Sequence, residues 1–264
     1  MNSQTGIFYD VPDDEYRSID AVGSSVVKTA ASLSAAHSGV KTGDSPSMFK
    51  GRLAHCMLLE PDSTADRYER QLEGHGSSKA VKESKASIMA SGKTPVTKSD
   101  WDSVSAAVEA ANASPVVEEL LSKGRPEVTV VWRDESTKLM CKARIDWLRD
   151  DEFLAIDLKT TSTFGGASPH TWSRQVRRYG LPIQAVHYLE GLSVVTGLVW
   201  DWRWLALELT PPFGMTLFEP DSEVLAAGHD GWRRGLSRLK EASVSGSKLS
   251  WPMKTYIIGL DGVS

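Results

Sequence analysis

Two segments decide the fold of this chain: Cys141-Lys142-Ala143-Arg144-Ile145-Asp146-Trp147-Leu148 and Ala155-Ile156-Asp157-Leu158-Lys159. Both largely alternate between polar and apolar residues, and a period of two is typical of β-strands. We predict that the segments pair as an antiparallel hairpin that turns about residues 149–152. In this register Asp146 lies opposite Asp157, and Arg144 lies opposite Lys159.

The predicted hairpin has one apolar face and one face that carries charged side chains. Ile145 and Trp147 line up with Leu158 and Ile156 on the apolar face. On the other face, two carboxylates lie beside Lys159, where the alternative to a functional site is a solvated face with a cross-strand salt bridge. We favour a divalent-metal site that hydrolyses phosphodiesters, because Mg²⁺ takes oxygen ligands and usually binds one or two carboxylates together with substrate phosphate. The lysine could orient or deprotonate the attacking water, or offset charge on the phosphate.

Glu127 is a further acidic candidate at the start of the preceding predicted strand. If that strand and the next form a hairpin about Glu135, Glu127 lies opposite Arg144, on the face that carries Asp146. Glu127 is then either an additional metal ligand, direct or through water, or the partner of Arg144 in a salt bridge.

Two predicted helices carry other polar candidates. His55 follows Gly51 by four residues on one helix face, and the glycine would permit a close approach to another element. His55 is either a packed core histidine or a residue that leans over a metal. Gln184 and Tyr188 also lie four residues apart on one face, after Pro182, and together could bind a phosphate oxygen or position Lys159 and a water.

The composition is that of a globular protein, with 264 residues, 41% hydrophobic and 24% charged residues, and a net charge of −4. Cys56 and Cys141 provide no disulfide framework, which favours a reducing, cytoplasmic setting. No apolar run approaches the roughly 20 residues of a membrane span, and the first fifteen residues do not form a signal segment. A local basic surface can coexist with the acidic total, and Arg174, Arg177 and Arg178 are the candidates for contacts with the DNA backbone.

The order of elements predicts one α/β domain over residues 1–264, with a central mixed sheet flanked by helices. Residues 1–20 form an irregular lead-in, residues 21–121 form a helical N-terminal part, and residues 125–242 form the catalytic sheet and its flanking helices. The Lys-rich stretch 74–98 is expected to be a mobile loop.

With these elements in order, the chain resembles the RecE-like exonucleases of the exonuclease VIII type. These are a phage- and prophage-associated branch of the PD-(D/E)xK nuclease superfamily, related to lambda exonuclease and the RecB nuclease domain. The matching segments are Ser24-Ser25-Val26-Val27-Lys28, Gly51 to Pro61, Glu127, Lys142 to Asp146, Ile156 to Thr161, and Tyr179 to Tyr188. The series is specific as a set, and it implies a restriction-endonuclease-like core with an N-terminal helical elaboration.

The resemblance also implies roles for particular residues. The metal ligands are His55, Asp146, Asp157 and the Leu158 carbonyl, with Glu127 as a plausible addition. Lys159 is the catalytic lysine, supported by Gln184 and Tyr188. Ser25, Lys28 and Arg52 are weaker candidates for gripping the DNA backbone or its 5′ end.

The activity implied is that of a Mg²⁺-dependent exonuclease, with Mn²⁺ as a substitute. It would degrade one strand of linear double-stranded DNA from its 5′ end and leave a 3′ single strand for recombination. The implied assembly is a homo-oligomeric ring, and the implied partner is a single-strand-annealing protein in a bacterial host cell. The alternatives are a nuclease of different polarity, an endonuclease, and an inactive DNA-binding relic of the fold.

Overall fold

The structure is a computed structural model that describes residues 4–246 apart from 41, 42 and 44, together with a short pair of strands near the C-terminus. The N-terminal elements are β1 (Gly6–Phe8), α1 (Asp13–Ser18), β2 (Val22–Gly23), α2 (Ser24–Ser32), α3 (Ala35–Ser38), α4 (Pro46–Leu59), α5 (Thr64–Arg67), β3 (Tyr68–Arg70), α6 (Lys79–Ala90), β4 (Thr94–Val96), α7 (Lys98–Asn112) and α8 (Pro115–Leu121). The C-terminal elements are β5 (Arg125–Arg133), β6 (Met140–Arg149), β7 (Leu154–Thr161), α9 (Pro169–Arg178), α10 (Leu181–Thr196), β8 (Asp201–Glu208), β9 (Met215–Phe218), α11 (Ser222–Ser245), β10 (Ile258–Gly259) and β11 (Gly262–Val263).

The expectation of a mobile loop at 74–98 is wrong, because this stretch contains α6 and β4. Ser78 caps α6 by accepting a hydrogen bond from the Val81 backbone N–H. Val81 and Ile88, seven residues apart and therefore on one face of the helix, are both buried. Because the composition of this stretch is polar and Lys-rich, the sequence pattern did not reveal these two residues. Their side chains pack α6 against the protein.

The main sheet is mixed, as the sequence predicts. Among the described residues it has seven strands in the order β1-β5-β6-β7-β8-β9, with β2 paired to β6 outside this order. β7 and β8 are parallel, and α9 and α10 connect them. A parallel pair needs such a crossover, since the chain must return to the starting end of the sheet.

Helices cover both faces of this sheet and form two cores. Side chains of α2, α9, α10 and α11 pack on one face against residues such as Trp132 and Trp202. Side chains of α4, α7 and α8 pack on the other face against Ile156, Leu158 and Leu205. The α/β fold with a central mixed sheet and flanking helices is therefore confirmed. No helix in the described part of the chain is long and apolar enough to cross a membrane.

Candidate metal centre and active site

The candidate site lies where β6 and β7 separate. Trp147 pairs with Ile156, as predicted, and the turn occupies residues 150–153 because Arg149 is still the last residue of β6. From Trp147 toward the start of β6, the two strands form no further backbone pair among the described residues. The Leu158 backbone N–H instead donates to Asp146 Oδ2 at 2.8 Å. A side chain thus satisfies a strand amide that the neighbouring strand no longer reaches.

This separation also corrects two details of the predicted hairpin. Ile145 belongs to the core under α10 and α11, whereas Leu158 belongs to the opposite core, so the two do not share a face. Arg144 forms no backbone pair with Lys159, since Trp147 and Ile156 are the last pair of the β6–β7 ladder on that side; toward β5, Arg144 pairs with Thr129. Strict alternation fails here because the β6–β7 ladder ends before these residues.

His55 reaches this point from α4. Its Nε2–H donates to the Leu158 carbonyl oxygen at 2.8 Å, and its Nδ1 lies 3.6 Å from Asp146 Oδ2. A donating Nε2 leaves the lone pair on Nδ1, so the imidazole presents a metal-binding atom toward Asp146. A Cβ on Gly51 would meet Thr160 Oγ1 at 3.2 Å, so the glycine allows α4 to lie close to β7. His55 is half-buried beside a carboxylate and is not a packed core residue.

Glu127 also faces Asp146, in a register that differs from the predicted one. Its neighbour Val128 pairs with Ile145, and Thr129 takes the position opposite Arg144 that was expected for Glu127. Glu127 itself adopts a φ of 50° and is left out of the ladder. The prediction assumed a regular hairpin, and the irregular backbone at this residue was not visible in the pattern.

The side chains of His55, Glu127 and Asp146 form a potential metal-binding group. One ligand atom from each lies within 4.8 Å of the others. The pKa of Glu127 is raised to about 8, mainly by burial and then by the nearby Asp146 carboxylate, while Arg144 opposes the shift. Two crowded carboxylates with an imidazole are a donor set that suits a divalent cation, which relieves the repulsion between the carboxylates. These residues therefore fit such an ion.

Asp157 and Lys159 lie beside this group on β7. Asp157 is 1% exposed, and its carboxylate contacts the Lys159 ammonium. Gln184 Nε2 donates to Asp157 Oδ1 at 2.8 Å from α10. Burial raises the pKa of Asp157, the Asp146 charge acts in the same direction, and the Lys159 charge opposes both. The predicted carboxylate, lysine and glutamine thus meet through direct contacts.

Tyr188 stands behind the carboxylates on the same helix. Its ring is buried edge-on against Trp202, with 5.5 Å between the ring centroids. Burial raises the pKa of Tyr188 well above its usual value, and the charges of Tyr16, Asp146 and Asp157 add to the shift. The hydroxyl therefore stays protonated and serves as a neutral hydrogen-bonding group near the site.

The three residues expected to grip the DNA backbone or its 5′ end differ in burial. Lys28 is half-buried on α2, and burial lowers its pKa to about 8, with the Lys159 charge acting in the same direction and Asp157 opposing. Lys28 therefore lies near Asp157 and Lys159. Ser25 is exposed on the same helix, and Arg52 is exposed on α4, where its charge acts on Tyr68.

The arginines of α9 form an exposed basic surface, which we call the arginine face: Arg174, Arg177 and Arg178. In the part of the chain that the structure describes, none of the three pairs with a carboxylate. α9 connects β7, which carries Asp157 and Lys159, to α10, which carries Gln184. The arginine face therefore lies in the chain between two elements that contribute residues to the candidate site.

Around Glu127 the structure shows the ion pair with Arg144 that the sequence offered as an alternative, and it adds Glu60, Arg67 and Tyr16, which sequence reasoning missed. Arg67 forms a bidentate pair with Glu60, at 2.7 and 2.8 Å, and both charges influence the pKa of Glu127. Arg144 lies 3.5 Å from Glu127 and also contacts Tyr16. Glu60 lies in the segment from Gly51 to Pro61 that matches the RecE-like exonucleases, so the resemblance could have pointed to it. No sequence pattern pointed to Tyr16.

A mixed sheet that brings two aspartates and a lysine together is the arrangement expected of the PD-(D/E)xK class of nuclease folds, and Gln184 of the following helix contacts one of the aspartates. The chain belongs to a family within this class, the PDDEXK-like domain of unknown function (DUF3799), whose sequence profile matches residues 23–254.

Solved structures resemble this chain at low sequence identity. A protein from Eubacterium rectale, provisionally assigned as an exonuclease, has a TM-score of 0.63 at 12% identity, over 89% of this chain and 88% of that one. A phage related exonuclease from Haemophilus somnus 129PT has a TM-score of 0.38 at 9% identity, over 86% of this chain and 96% of that one. At such identity the first likeness shows the fold alone. A search of curated proteins gives no match.

Proposed function

We propose that the protein is a divalent-metal-dependent DNA exonuclease of the RecE-like branch, which degrades one strand of linear duplex DNA from its 5′ end. The observation that carries the proposal is the meeting of His55, Glu127 and Asp146 with the Asp157–Lys159 pair where β6 and β7 separate. The Eubacterium rectale protein, which shares the fold, is provisionally assigned to the same activity class.

The proposed ligands are the carboxylates of Asp146, Asp157 and Glu127, the His55 imidazole and the Leu158 carbonyl oxygen. They would hold Mg²⁺, with Mn²⁺ as a substitute. When bound, such a cation stabilises charge on the phosphate and lowers the pKa of a coordinated water. His55 already holds the Leu158 carbonyl oxygen in place, so the histidine and this oxygen are organised together.

Lys159 is the proposed catalytic residue that acts directly on the water and the phosphate. Its ammonium contacts Asp157 and is half-buried, so it is fixed beside the reacting phosphate while remaining within reach of water. There it orients the attacking water and offsets the negative charge that develops on the phosphate oxygens. Gln184 fixes the other oxygen of Asp157, and this leaves the carboxylate little freedom to rotate away.

The test is a time course with linear duplex labelled at the 5′ or at the 3′ end, beside a closed circular duplex, in Mg²⁺ and in EDTA. We expect release of the 5′ label as mononucleotide, no cleavage of the circle, and no activity in EDTA. Lys159→Ala, which retains the carboxylates, is the control for a contaminating nuclease. Cleavage of the circle would establish an endonuclease instead, and first release of the 3′ label would reverse the polarity.

A 5′-phosphate pocket is part of the proposal, with Lys28 as its main cation and Arg52 as a second. Lys28 is supported by its position near Lys159 and Asp157. If this pocket grips the terminal phosphate, a 5′-phosphate end should be cut faster than a 5′-hydroxyl end, and Lys28→Ala should reduce the difference. Equal initial rates on the two ends in the wild type would remove the pocket from the proposal.

We also propose a ring-shaped homo-oligomer that encircles the duplex and works with a single-strand-annealing protein in recombination. This proposal rests on the resemblance to RecE-like exonucleases. Light scattering across the working concentration range should give a mass above the 28.9 kDa of one chain. A strict monomer that still digests DNA processively would contradict the ring.

A further inference from the structure

The N-terminal residues 11–19 lie beside the candidate metal centre, although they precede the family match. β1 pairs with β5, with Phe8 opposite Thr129, so the chain leaves the sheet close to Glu127. The chain then turns at Asp10, which adopts a φ of 54°. Val11 is buried, and α1 begins at Asp13. The segment is thus attached to the strand that carries Glu127.

Arg144 connects this segment to Glu127. Its guanidinium donates to the Val11 carbonyl oxygen and, at 3.2 Å, to Asp13 Oδ1. The Tyr16 ring lies under the same guanidinium, with 4.6 Å from Cζ to the ring centroid. The Arg144 Nε lies 3.5 Å from Glu127 Oε2, and only 13% of the arginine side chain is exposed. The N-terminal segment therefore fixes the cation that faces the metal-site carboxylate.

Lys142 holds α1 against the same strand. Its Nζ donates to the backbone carbonyl oxygens of Tyr16 at 2.9 Å and Ile19 at 2.7 Å. Carbonyl groups at the C-terminal end of a helix lack intrahelical partners and attract cations. The ammonium also lies 4.9 Å from the centroid of the Tyr16 ring. Two cations of β6 thus clamp a helix whose first turn carries Asp13.

We propose that Asp13 and Tyr16 are positioning residues of the metal centre, which hold Arg144 in an ion pair with Glu127 that at 3.5 Å is longer than a hydrogen bond, and so keep that carboxylate available to a divalent cation. A guanidinium released from these contacts would form a bidentate pair with Glu127, the geometry that arginine and carboxylates favour. Such a pair would compete with the cation for the same oxygens. The inference rests on the proposed metal site and extends it to a segment outside residues 23–254.

The test compares Asp13→Ala with Asp14→Ala by calorimetric titration with Mn²⁺ alone, in the absence of DNA. Both variants remove one exposed carboxylate from the first turn of α1, but only Asp13 contacts Arg144. We expect Asp13→Ala to weaken Mn²⁺ binding about tenfold, an effect typical of groups that orient metal ligands, and Asp14→Ala to bind as the wild type does. Asp13 also pairs with Arg17 at 2.6 Å, so Arg17→Ala, with unchanged affinity expected, assigns the effect to Arg144.

Tyr16 provides a conservative rescue. Tyr16→Phe keeps the ring under the guanidinium and should retain wild-type Mn²⁺ affinity, whereas Tyr16→Ala should weaken it. Thermal melting of each variant separates a loss of affinity from a loss of folded protein. Equal Mn²⁺ affinities for Asp13→Ala and Asp14→Ala overturn the inference. Because the titration contains no DNA, a wild type that binds Mn²⁺ but fails to cleave DNA would contradict the proposed function alone.

Discussion

Asp157 shows how burial sets the chemistry of a single residue. The carboxylate is nearly inaccessible to water, and its two oxygens face Gln184 and Lys159. Burial favours the neutral acid, so the ionised form depends on the lysine and on a bound cation. In the proposed site, Asp157 therefore depends on Lys159 and on the bound cation to remain ionised as a metal ligand.

The first prediction concerns the catalytic carboxylates and lysine. Asp146→Asn, Asp157→Asn and Lys159→Ala should each reduce the rate of DNA hydrolysis by about 10²–10³, since a lost transition-state contact is worth about 3–4 kcal/mol. Single-turnover digestion of labelled duplex measures the effect. Asp201→Asn, at the exposed start of β8, should be silent. Near wild-type turnover in any one of the three variants would contradict its assignment.

His55 gives a second prediction, because it lies half-buried between the Leu158 carbonyl and Asp146. His55→Ala should weaken Mn²⁺ binding more than it lowers the melting temperature. Calorimetric titration and thermal melting of the same preparation provide the two measurements. A variant that melts early but binds Mn²⁺ normally would restore the core-histidine interpretation.

A third prediction follows from Glu127, whose pKa is raised from its usual 4.5 to about 8. The folded metal-free protein therefore keeps this proton between these two pH values, and a cation that binds the carboxylate must displace it. Mn²⁺ affinity should rise with pH up to about 8, by about tenfold per pH unit for one displaced proton. Titrations from pH 6 to 8.5 should show this slope in the wild type and a shallower one in Glu127→Gln. Equal slopes would mean that Glu127 does not bind the ion.

At the scale of elements, α10 connects the catalytic residues to the rest of the fold. Gln184 and Tyr188 lie near the site, and the neighbouring His187 is fully buried between two other elements. Trp232 of α11 donates its indole N–H to His187 Nδ1 at 3.1 Å, so His187 Nε2–H donates to the Lys142 carbonyl of β6 at 3.0 Å. A single neutral imidazole thus ties the helix to the strand that carries Asp146.

His187 makes the stability of the protein depend on pH. Burial lowers its pKa from the usual 6.5 to about 4. The folded state therefore binds fewer protons than the unfolded state in this interval, and the contribution to stability is present above pH 6.5 and lost as the pH falls toward 4. The expected loss is about 3 kcal/mol over the interval, at about 1.4 kcal/mol per pH unit of difference between the two pKa values.

Urea unfolding between pH 4 and 7 tests this fourth prediction. His187→Gln should lower the free energy of unfolding at pH 7 and should also flatten its dependence on pH below 6.5. His170→Gln, which removes an exposed histidine from α9, should keep the wild-type slope. If His187→Gln and the wild type lose stability in parallel, His187 does not carry the pH dependence.

At the scale of the whole molecule, the net charge of −4 conceals an uneven distribution of charge. The arginine face is exposed on the crossover between β7 and β8, and none of its members pairs with an acidic group among the described residues. Local fields of this kind attract nucleic acid even when the total charge is negative.

The fifth prediction is that Arg174→Ala, Arg177→Ala and Arg178→Ala, combined in one variant, weaken DNA binding. They should also reduce the slope of log affinity against log salt by about three, if each arginine neutralises one phosphate. Fluorescence anisotropy with an inactive Lys159→Ala background measures both. A control that replaces Lys79, Lys82 and Lys85 of α6 by Ala removes the same charge elsewhere on the surface. Equal effects of the two triple variants would show that only net charge matters.

Local sequence patterns were enough to predict the hairpin and the α/β class. Alternation placed Trp147 opposite Ile156, and helical spacing placed Gln184 and Tyr188 together, because both patterns depend on neighbours along the chain. The same local logic led to an error for α6, where only Val81 and Ile88 signal the buried face.

How the candidate site is assembled could be seen only in the folded protein. The strand separation at Asp146 and the positive φ of Glu127 interrupt the regular strand pattern, and His55 comes from α4, 103 residues before Leu158 of β7. Residues 1–20 were expected to be an irregular lead-in, yet α1 lies against Lys142 and Arg144. Contacts between distant segments depend on how the faces of helices and sheets pack together and on which partners the buried charges find. A periodic pattern within one segment carries no information about either.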